Sequence, residues 1–400
     1  MIQKKNEFIL ITCSNFPEGG ATANYLNLFC KGLLLNNQSI SVWLLKGFGF
    51  GNQTNQDKKK NFTKEGILFT YLSSPHRPKS KLKKIYNDCI SIIVLSIYLS
   101  KLVLRKETIT LLVYNNELQF NIPIFFFSKL GKFKVISFVS EFYDKSVFKG
   151  SFFKQLKWYG FLFNFKFINR LSFRLIVFSS FLKNLYIKQG VDEKKIIIQP
   201  NLTDFDFWHS DNKTIKYTLG YSGTPSVKDG LIDLFRAISL LKKSNINVTL
   251  LVVGDSVFGN SLLPNLRKTC NELNISELVT FTGLVEFNKV KQYLSECEIL
   301  TLTRPNIIQT QAGFPTKLGE YIAMEKKVLI TNFGDTNLFF KNDELIFAEC
   351  DNINSIAQKI QWILMNKDEA SIIAQKGYLK AMKLLSYNEI ISKIIPLIIR

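Results

Sequence analysis

Four hundred residues are too many for one ordinary hydrophobic core and suit two domains of about 150–200 residues each. Apolar residues make up 46% of the chain and aromatic residues 13%, enough to bury two cores, which excludes a disordered chain. The formal charge of +20 leaves three classes of partner (nucleic acid, an anionic membrane surface or phosphorylated substrates), and the lack of zinc-finger, RRM or helix-turn-helix signatures removes the first.

In chain order, the first expected strand is 8–13 (FILITC), followed by a turn-rich loop from Ser14 to Gly20, a helix over 21–35 and a strand over 39–45 (SISVWLL). This is a βαβ opening with glycines at the strand-to-helix turn. Further strands are expected at 67–72, 110–114, 134–139, 175–179 and 195–199, with helical patterns between them. The apolar run 90–104 (ISIIVLSIYLSKLVL) is short for a membrane span of about 20 residues and carries Lys101, so it reads as a buried or amphipathic helix. Residues 200–216 are polar, turn-prone and led by Pro200, and read as a linker.

Beyond it the rhythm restarts, with strands at 218–221, 248–253, 279–282, 299–303 and 327–331 and helices at 230–243, 262–273, 288–296 and 317–324. From about 354 the tail is helical to its end. The alternation predicts an α/β fold of two Rossmann-like domains, 1–199 and 217–380, each built on a parallel sheet and facing the other across a ligand cleft. A C-terminal helix, 381–400, is expected to pack back on the first domain.

The six cysteines (Cys13, Cys30, Cys89, Cys270, Cys297, Cys350) are far apart, form no CxxC pair and read as core thiols of a reducing compartment. Only two histidines, His76 and His209, are present, which argues against a histidine-built metal site or a Ser-His-Asp triad. The apolar run near the N-terminus is too short for a signal peptide, so the expected location is the cytoplasm.

Several segments carry chemistry. Gly19-Gly20-Ala21 opens a helix, where backbone N–H groups can approach an anion or a reacting sugar because glycine has no Cβ in the way. It is not a full GxGxxG, which weakens a dinucleotide-cofactor reading. In the stretch 221–230 (YSGTPSVKDG) a strand runs through Gly223 and Thr224 into a small-residue turn, with Lys228 just before a helix, where it can neutralise a pyrophosphate. In 311–321 (QAGFPTKLGEY), Phe314 and Pro315 lead into a helix start at which the N–H groups of Thr316 and Lys317 can face phosphate and Glu320 can accept the two hydroxyls of a ribose. Residues 146–174 hold many aromatics, several Lys and Arg and no acid; Lys166, Arg170 and Arg174 are spaced to share one helix face, which suits an anionic membrane interface.

These features, in this order, make 198–332 resemble the retaining glycosyltransferases of family four, which adopt the GT-B fold. The stretches that carry the resemblance are QPNLTDFDFW, LGYSGTPSVKDGLIDLF, VTLLVVGDS, VTFTGLVEFNKVKQYLSECEILTLTRP and GFPTKLGEYIAMEKKVLIT; the N-terminal half matches mainly through its GGA loop and β/α order. The resemblance implies an acceptor domain followed by a donor domain, a nucleoside diphosphate sugar as donor, no metal requirement, and a glycan or lipid-linked acceptor. It places Lys228 at the family's diphosphate lysine and Glu320 at its ribose-binding glutamate, whereas the family's arginine position falls on or near Thr224 and its first glutamate falls on Ala312. Gln309, Gln311 and Arg304 are the residues near enough in sequence to replace that carboxylate. Glu141, in the stretch 140–144 (SEFYD) after a strand, stands where the family often has a His-Asp pair, and joins Lys228 and Glu320 as a catalytic candidate. The rival readings are a sugar-nucleotide epimerase of the same fold and a non-catalytic donor-binding scaffold. The setting expected from the resemblance is polysaccharide or lipopolysaccharide assembly on the inner face of a membrane.

Overall fold

The computed structural model describes residues 6–48, 60–105, 108–210, 214–256 and 261–399. The chain divides into two units, Met1–Leu202 with Tyr387–Arg400, and Thr203–Ser386.

The first unit is built on β1 (Glu7–Thr12), β2 (Ser39–Leu44), β3 (Lys60–Phe62), β4 (Leu68–Tyr71), β5 (Ile109–Tyr114), β6 (Lys134–Val139), β7 (Arg174–Val177) and β8 (Ile196–Ile198), in the sheet order β3-β4-β2-β1-β5-β6-β7-β8. All neighbours are parallel except the edge pair β3–β4. Every residue of β5 (ITLLVY) is buried, as a strand covered on both faces requires. Alternate residues feed two cores. Phe8, Leu10, Val42, Leu112 and Ile136 pack with Phe29 and Leu33 of α1 (Ala21–Leu35) and with Ile391 and Ile394 of the C-terminal helix Tyr387–Ile399. On the opposite face, Ile9, Ile11, Leu111 and Val113 pack with Leu95 and Leu99 of α2 (Lys81–Arg105) and with Phe120 and Ile124 of α3 (Leu118–Gly131).

Four sequence expectations change here. The apolar run 90–104 belongs to a longer helix, α2, which among the described residues is the one helix long and apolar enough to cross a membrane by length and composition. Its Leu95, Leu99 and Leu102 are nonetheless in the core against the sheet, so one side of it is amphipathic packing. Lys166, Arg170 and Arg174 do not share a helix face. α4 (Phe152–Phe163) passes into a π-helical turn, Asn164–Ile168, and a 3-10 turn, Asn169–Leu171, and Arg174 opens β7 with its guanidinium over Phe173 and its Nε donating to the Leu397 carbonyl. The linker expected at 200–216 is not one: Phe205 and Trp208 are buried in the core of the second unit, so the division falls at Leu202/Thr203. The return to the first unit likewise begins at Tyr387 rather than at 381, since Ala381 and Leu385 still pack in the second.

The second unit carries β9 (Tyr217–Ser222), β10 (Leu250–Val253), β11 (Val279–Gly283), β12 (Cys297–Leu302), β13 (Lys327–Thr331) and β14 (Ile346–Ala348), all parallel, in the order β11-β10-β9-β12-β13-β14. From β9 the chain winds outward to β10 and β11, then returns beside β9 as β12 and winds the other way. The switch therefore lies between β9 and β12, and crevices beyond the carboxyl ends of strands at such a point are where open α/β sheets bind ligands.

Candidate functional site

The loops leaving β9 and β12 meet at that switch. Gly230 makes the approach possible. Its φ is +68°, and a Cβ on it would stand 1.7 Å from the Thr303 carbonyl oxygen, so only glycine fits. The Thr303 hydroxyl in turn donates to the Gly230 carbonyl at 3.0 Å. Gly230 also starts the helix Leu231–Lys243. The third contributor is the helix Thr316–Ala323, anchored by Tyr321, whose hydroxyl accepts the Ser222 amide at 2.8 Å.

These three segments assemble a buried charge cluster. The Asp229 side chain is 2% exposed and faces Lys317 Nζ at 3.1 Å and Arg304 Nη2 at 3.3 Å. Ser226 Oγ donates to its other oxygen at 2.5 Å. Lys317 Nζ also donates to the Tyr221 hydroxyl at 2.7 Å and lies 4.1 Å from the centre of that ring. Gly223, at φ +124°, is the floor beneath it, since a Cβ there would come within 2.6 Å of Lys317 Nζ. Burial pushes the Asp229 carboxyl up, but Lys317, Arg304 and the Ser226 hydroxyl outweigh it and hold it down to about 2. Burial lowers the Lys317 ammonium to about 8, against the pull of Asp229 and with a push from Arg304. Burial raises the Glu320 carboxyl to about 7, with Lys317 opposing. Two cations thus face the buried Asp229 carboxylate, with Glu320 titrating beside Lys317, and Arg304 Nε is buried with no hydrogen-bond partner. The cluster is suited to an anion with several oxygens.

Other expected residues occupy varied places. Lys228 and Thr224 are exposed, Lys228 on the single 3-10 turn Val227–Asp229 and Thr224 donating to the Asp255 carbonyl at 3.2 Å. Thr316 begins the helix that Pro315 caps, while Phe314 is buried edge-on against Phe339. Ala312 is fully buried in the short helix Ile308–Ala312. Of the proposed substitutes for its missing carboxylate, Gln311 donates to the Asn306 side chain at 3.0 Å and Arg304 is engaged with Asp229. Gly19, Gly20 and Ala21 are exposed at the start of α1, both glycines at positive φ, and no side chain caps that helix. Glu141 lies in the first unit after β6 and accepts a hydrogen bond from the Tyr143 hydroxyl. Asp229 and Tyr221 carry no assigned role in the sequence reading. The available signal was an aspartate beside the glycine that opens a helix, at the carboxyl end of a central strand.

Residues 203–380 match the family described as glycosyl transferases group 1. This segment is similar to a group 1 glycosyltransferase domain. No curated protein matches the chain. Among solved structures, a glycosyltransferase from Rickettsia africae ESF-5 superposes with a TM-score of 0.73 at 16% identity, over 98% of this chain and 97% of that one. Sucrose-phosphate synthase from Thermosynechococcus elongatus gives 0.74 at 14% identity, over 98% of each chain. HepE of Anabaena, solved with UDP, gives 0.70 at 15% identity, over 98% of this chain and 99% of that one. The two-unit α/β architecture is thus the GT-B fold. The Lys317–Asp229–Arg304 cluster lies inside the matched segment, at the switch point of its sheet.

Proposed function

We propose that the chain transfers a sugar from a nucleoside diphosphate sugar to a glycan acceptor carried on lipid, with retention of configuration at the transferred carbon. The observation that carries this reading is the buried Lys317–Asp229–Arg304 cluster. Breaking the sugar–phosphate bond leaves negative charge on the β-phosphate. Lys317, Arg304 and the first N–H groups of the helix Thr316–Ala323 are the groups that meet it, with Gly223 and Thr224 bordering the phosphates and exposed Lys228 adding charge from the rim. This supply of fixed positive charge makes a divalent metal unnecessary, and transfer is expected to survive chelation by EDTA. Glu320, one turn into the same helix, takes the ribose hydroxyls. UDP is the first nucleotide to test, because HepE of Anabaena was solved with it. The loop Gly19-Gly20-Ala21 and Glu141 serve the acceptor side.

The titration of the site gives a pH test. A carboxylate accepts ribose hydroxyls only when ionised, and Glu320 titrates at about 7. An ammonium binds phosphate only when protonated, and Lys317 titrates at about 8. Affinity for UDP should therefore rise as pH climbs towards 7 and fall above 8. Calorimetric titration across this range checks it, and Glu320→Gln should flatten the acid limb while leaving the alkaline one. An unchanged acid limb in the variant would assign that limb to the nucleotide's own phosphate.

The lipid side of the reading rests on a large apolar surface of the first unit. α2 packs along α3, and α3 touches α4. Their outer faces show Ile93, Ile97 and Leu104, then Ile122, Phe126 and Leu130, then Phe152, Phe153, Leu156 and Tyr159. Phe152 is 73% exposed and Leu104 80%, whereas monomeric soluble proteins scatter such residues singly. Exposed Lys101, Lys129, Lys154 and Lys157 interleave with them, complementary to anionic headgroups. Phe152→Ser/Phe153→Ser/Tyr159→Ser is expected to abolish cosedimentation with phosphatidylglycerol vesicles and leave UDP affinity unchanged. Equal pelleting of variant and wild type would remove this surface from the account.

A further inference from the structure

The chain enters the second unit at Thr203 and leaves it at Ser386. These two points are joined. The Thr203 amide donates to the Leu385 carbonyl at 2.8 Å, and Thr203 pairs with Ser386 in an isolated parallel bridge.

The joined ends rest on the helix Thr316–Ala323, at Gly319. A Cβ on Gly319 would stand 2.0 Å from Thr203 Oγ1 and 3.3 Å from Leu385 Cδ1. Glycine inside a helix is destabilising relative to alanine, so its presence there needs a reason, and the close approach of Thr203 supplies one. Gly319 lies between Lys317 and Glu320 in the chain, and its neighbour Leu318 packs in one core with Phe205, Trp208 and Leu385.

Thr203 itself breaks a rule of stability. It is 1% exposed, and its Oγ1 is buried with no hydrogen-bond partner. An unpaired buried hydroxyl is destabilising. The atom is closed to solvent, so no ligand accounts for it, and what it fills is the space over Gly319. The same helix is held a second time at Tyr321, whose hydroxyl accepts the Ser222 amide at 2.8 Å. Positions 319 and 321 are about 200° apart around a helix of 3.6 residues per turn. The two contacts therefore hold the helix from nearly opposite sides and fix its rotation about its own axis.

We propose that Thr203 is a positioning residue for the donor site: through Gly319 it sets the placement of the helix that presents Lys317 and Glu320 to the nucleotide. The proposal rests on the donor reading of that helix. Its test is an exchange of atoms across the contact. Thr203→Ala removes Oγ1, and Gly319→Ala returns an atom to the vacated space from the helix side. Calorimetric titration with UDP and with GDP, beside a melting curve, is made on the full chain for both single variants and for Thr203→Ala/Gly319→Ala. Affinity for the nucleotide that binds is expected to fall about tenfold in Gly319→Ala and about threefold in Thr203→Ala, and to return to within about twofold of wild type in the double variant, as for residues in direct contact. A structural role alone would move melting temperatures without this pattern in affinity. Unchanged affinity in the folded single variants, or a double variant whose loss is the product of the two, overturns the proposal. If Gly319→Ala does not fold, Thr203→Ala decides alone, and wild-type affinity in it overturns the proposal. A wild type that binds neither nucleotide overturns the donor reading, and the proposal with it.

Discussion

Lys317→Met is expected to lower the rate of nucleoside diphosphate release from the donor by about 10²–10³-fold, the usual cost of removing one preorganised group that meets developing negative charge. The side chain is 14% exposed, points at Asp229 and Tyr221, and is the cation that the aspartate holds at the switch point against the cost of burial. Its removal leaves Asp229 with Arg304 as its one cation, at 3.3 Å. Breaking a buried pair costs about 3–5 kcal/mol when a charge is stranded, and less where another partner remains. The double variant Lys317→Met/Asp229→Asn separates the two effects. It should regain melting temperature relative to Lys317→Met without regaining rate. Recovery of both would make Lys317 a structural partner of Asp229 and no more.

The largest stability effect is expected at Gly230. Gly230→Ala places a Cβ 1.7 Å from the Thr303 carbonyl and forces a side chain into the left-handed region at φ +68°. The backbone conformation alone costs about 1–2 kcal/mol. The clash must be relieved by moving the segment that carries Thr303 and Arg304, so the total should exceed about 3 kcal/mol. For a unit of this size that is a fall in melting temperature of at least about 6 °C. The same movement pulls Arg304 from Asp229, so UDP affinity should fall as well. A variant that melts with the wild type would show that the two loops do not need this close approach.

The fold was largely legible because buried parallel strands appear as short apolar runs between helical patterns. ITLLVY at 109–114 and CEILTL at 297–302 are such runs. The strands Lys60–Phe62 and Ile346–Ala348 were not, since three residues hold too little periodicity to register. The linker expected at 200–216 was misplaced because the polar residues there hide Phe205 and Trp208, whose burial depends on distant partners. In the site, Lys317 and Glu320 were visible through motif position. Asp229 was not, because its significance comes from Arg304 and Lys317, 75 and 88 positions away. The composition of 146–174 left open a membrane-facing helix or a core helix with a basic edge, and the structure has both exposed Phe152 and Phe153 and buried Trp158 and Phe165 there. The segment's geometry was hidden because a π-turn breaks the spacing on which a shared helix face depends.

The second unit is expected to bind a nucleoside diphosphate sugar at the Lys317–Asp229–Arg304 cluster. The most direct measurement is a melting-temperature panel of UDP-, GDP-, ADP- and CMP-sugars on the wild type, Glu320→Ala and Lys317→Met. A ligand at 100 times its dissociation constant stabilises by about 2.7 kcal/mol, well within reach of a melting curve. One nucleotide class should raise the melting temperature of the wild type and of neither variant. No shift with any donor, or equal shifts in all three proteins, would contradict the claim.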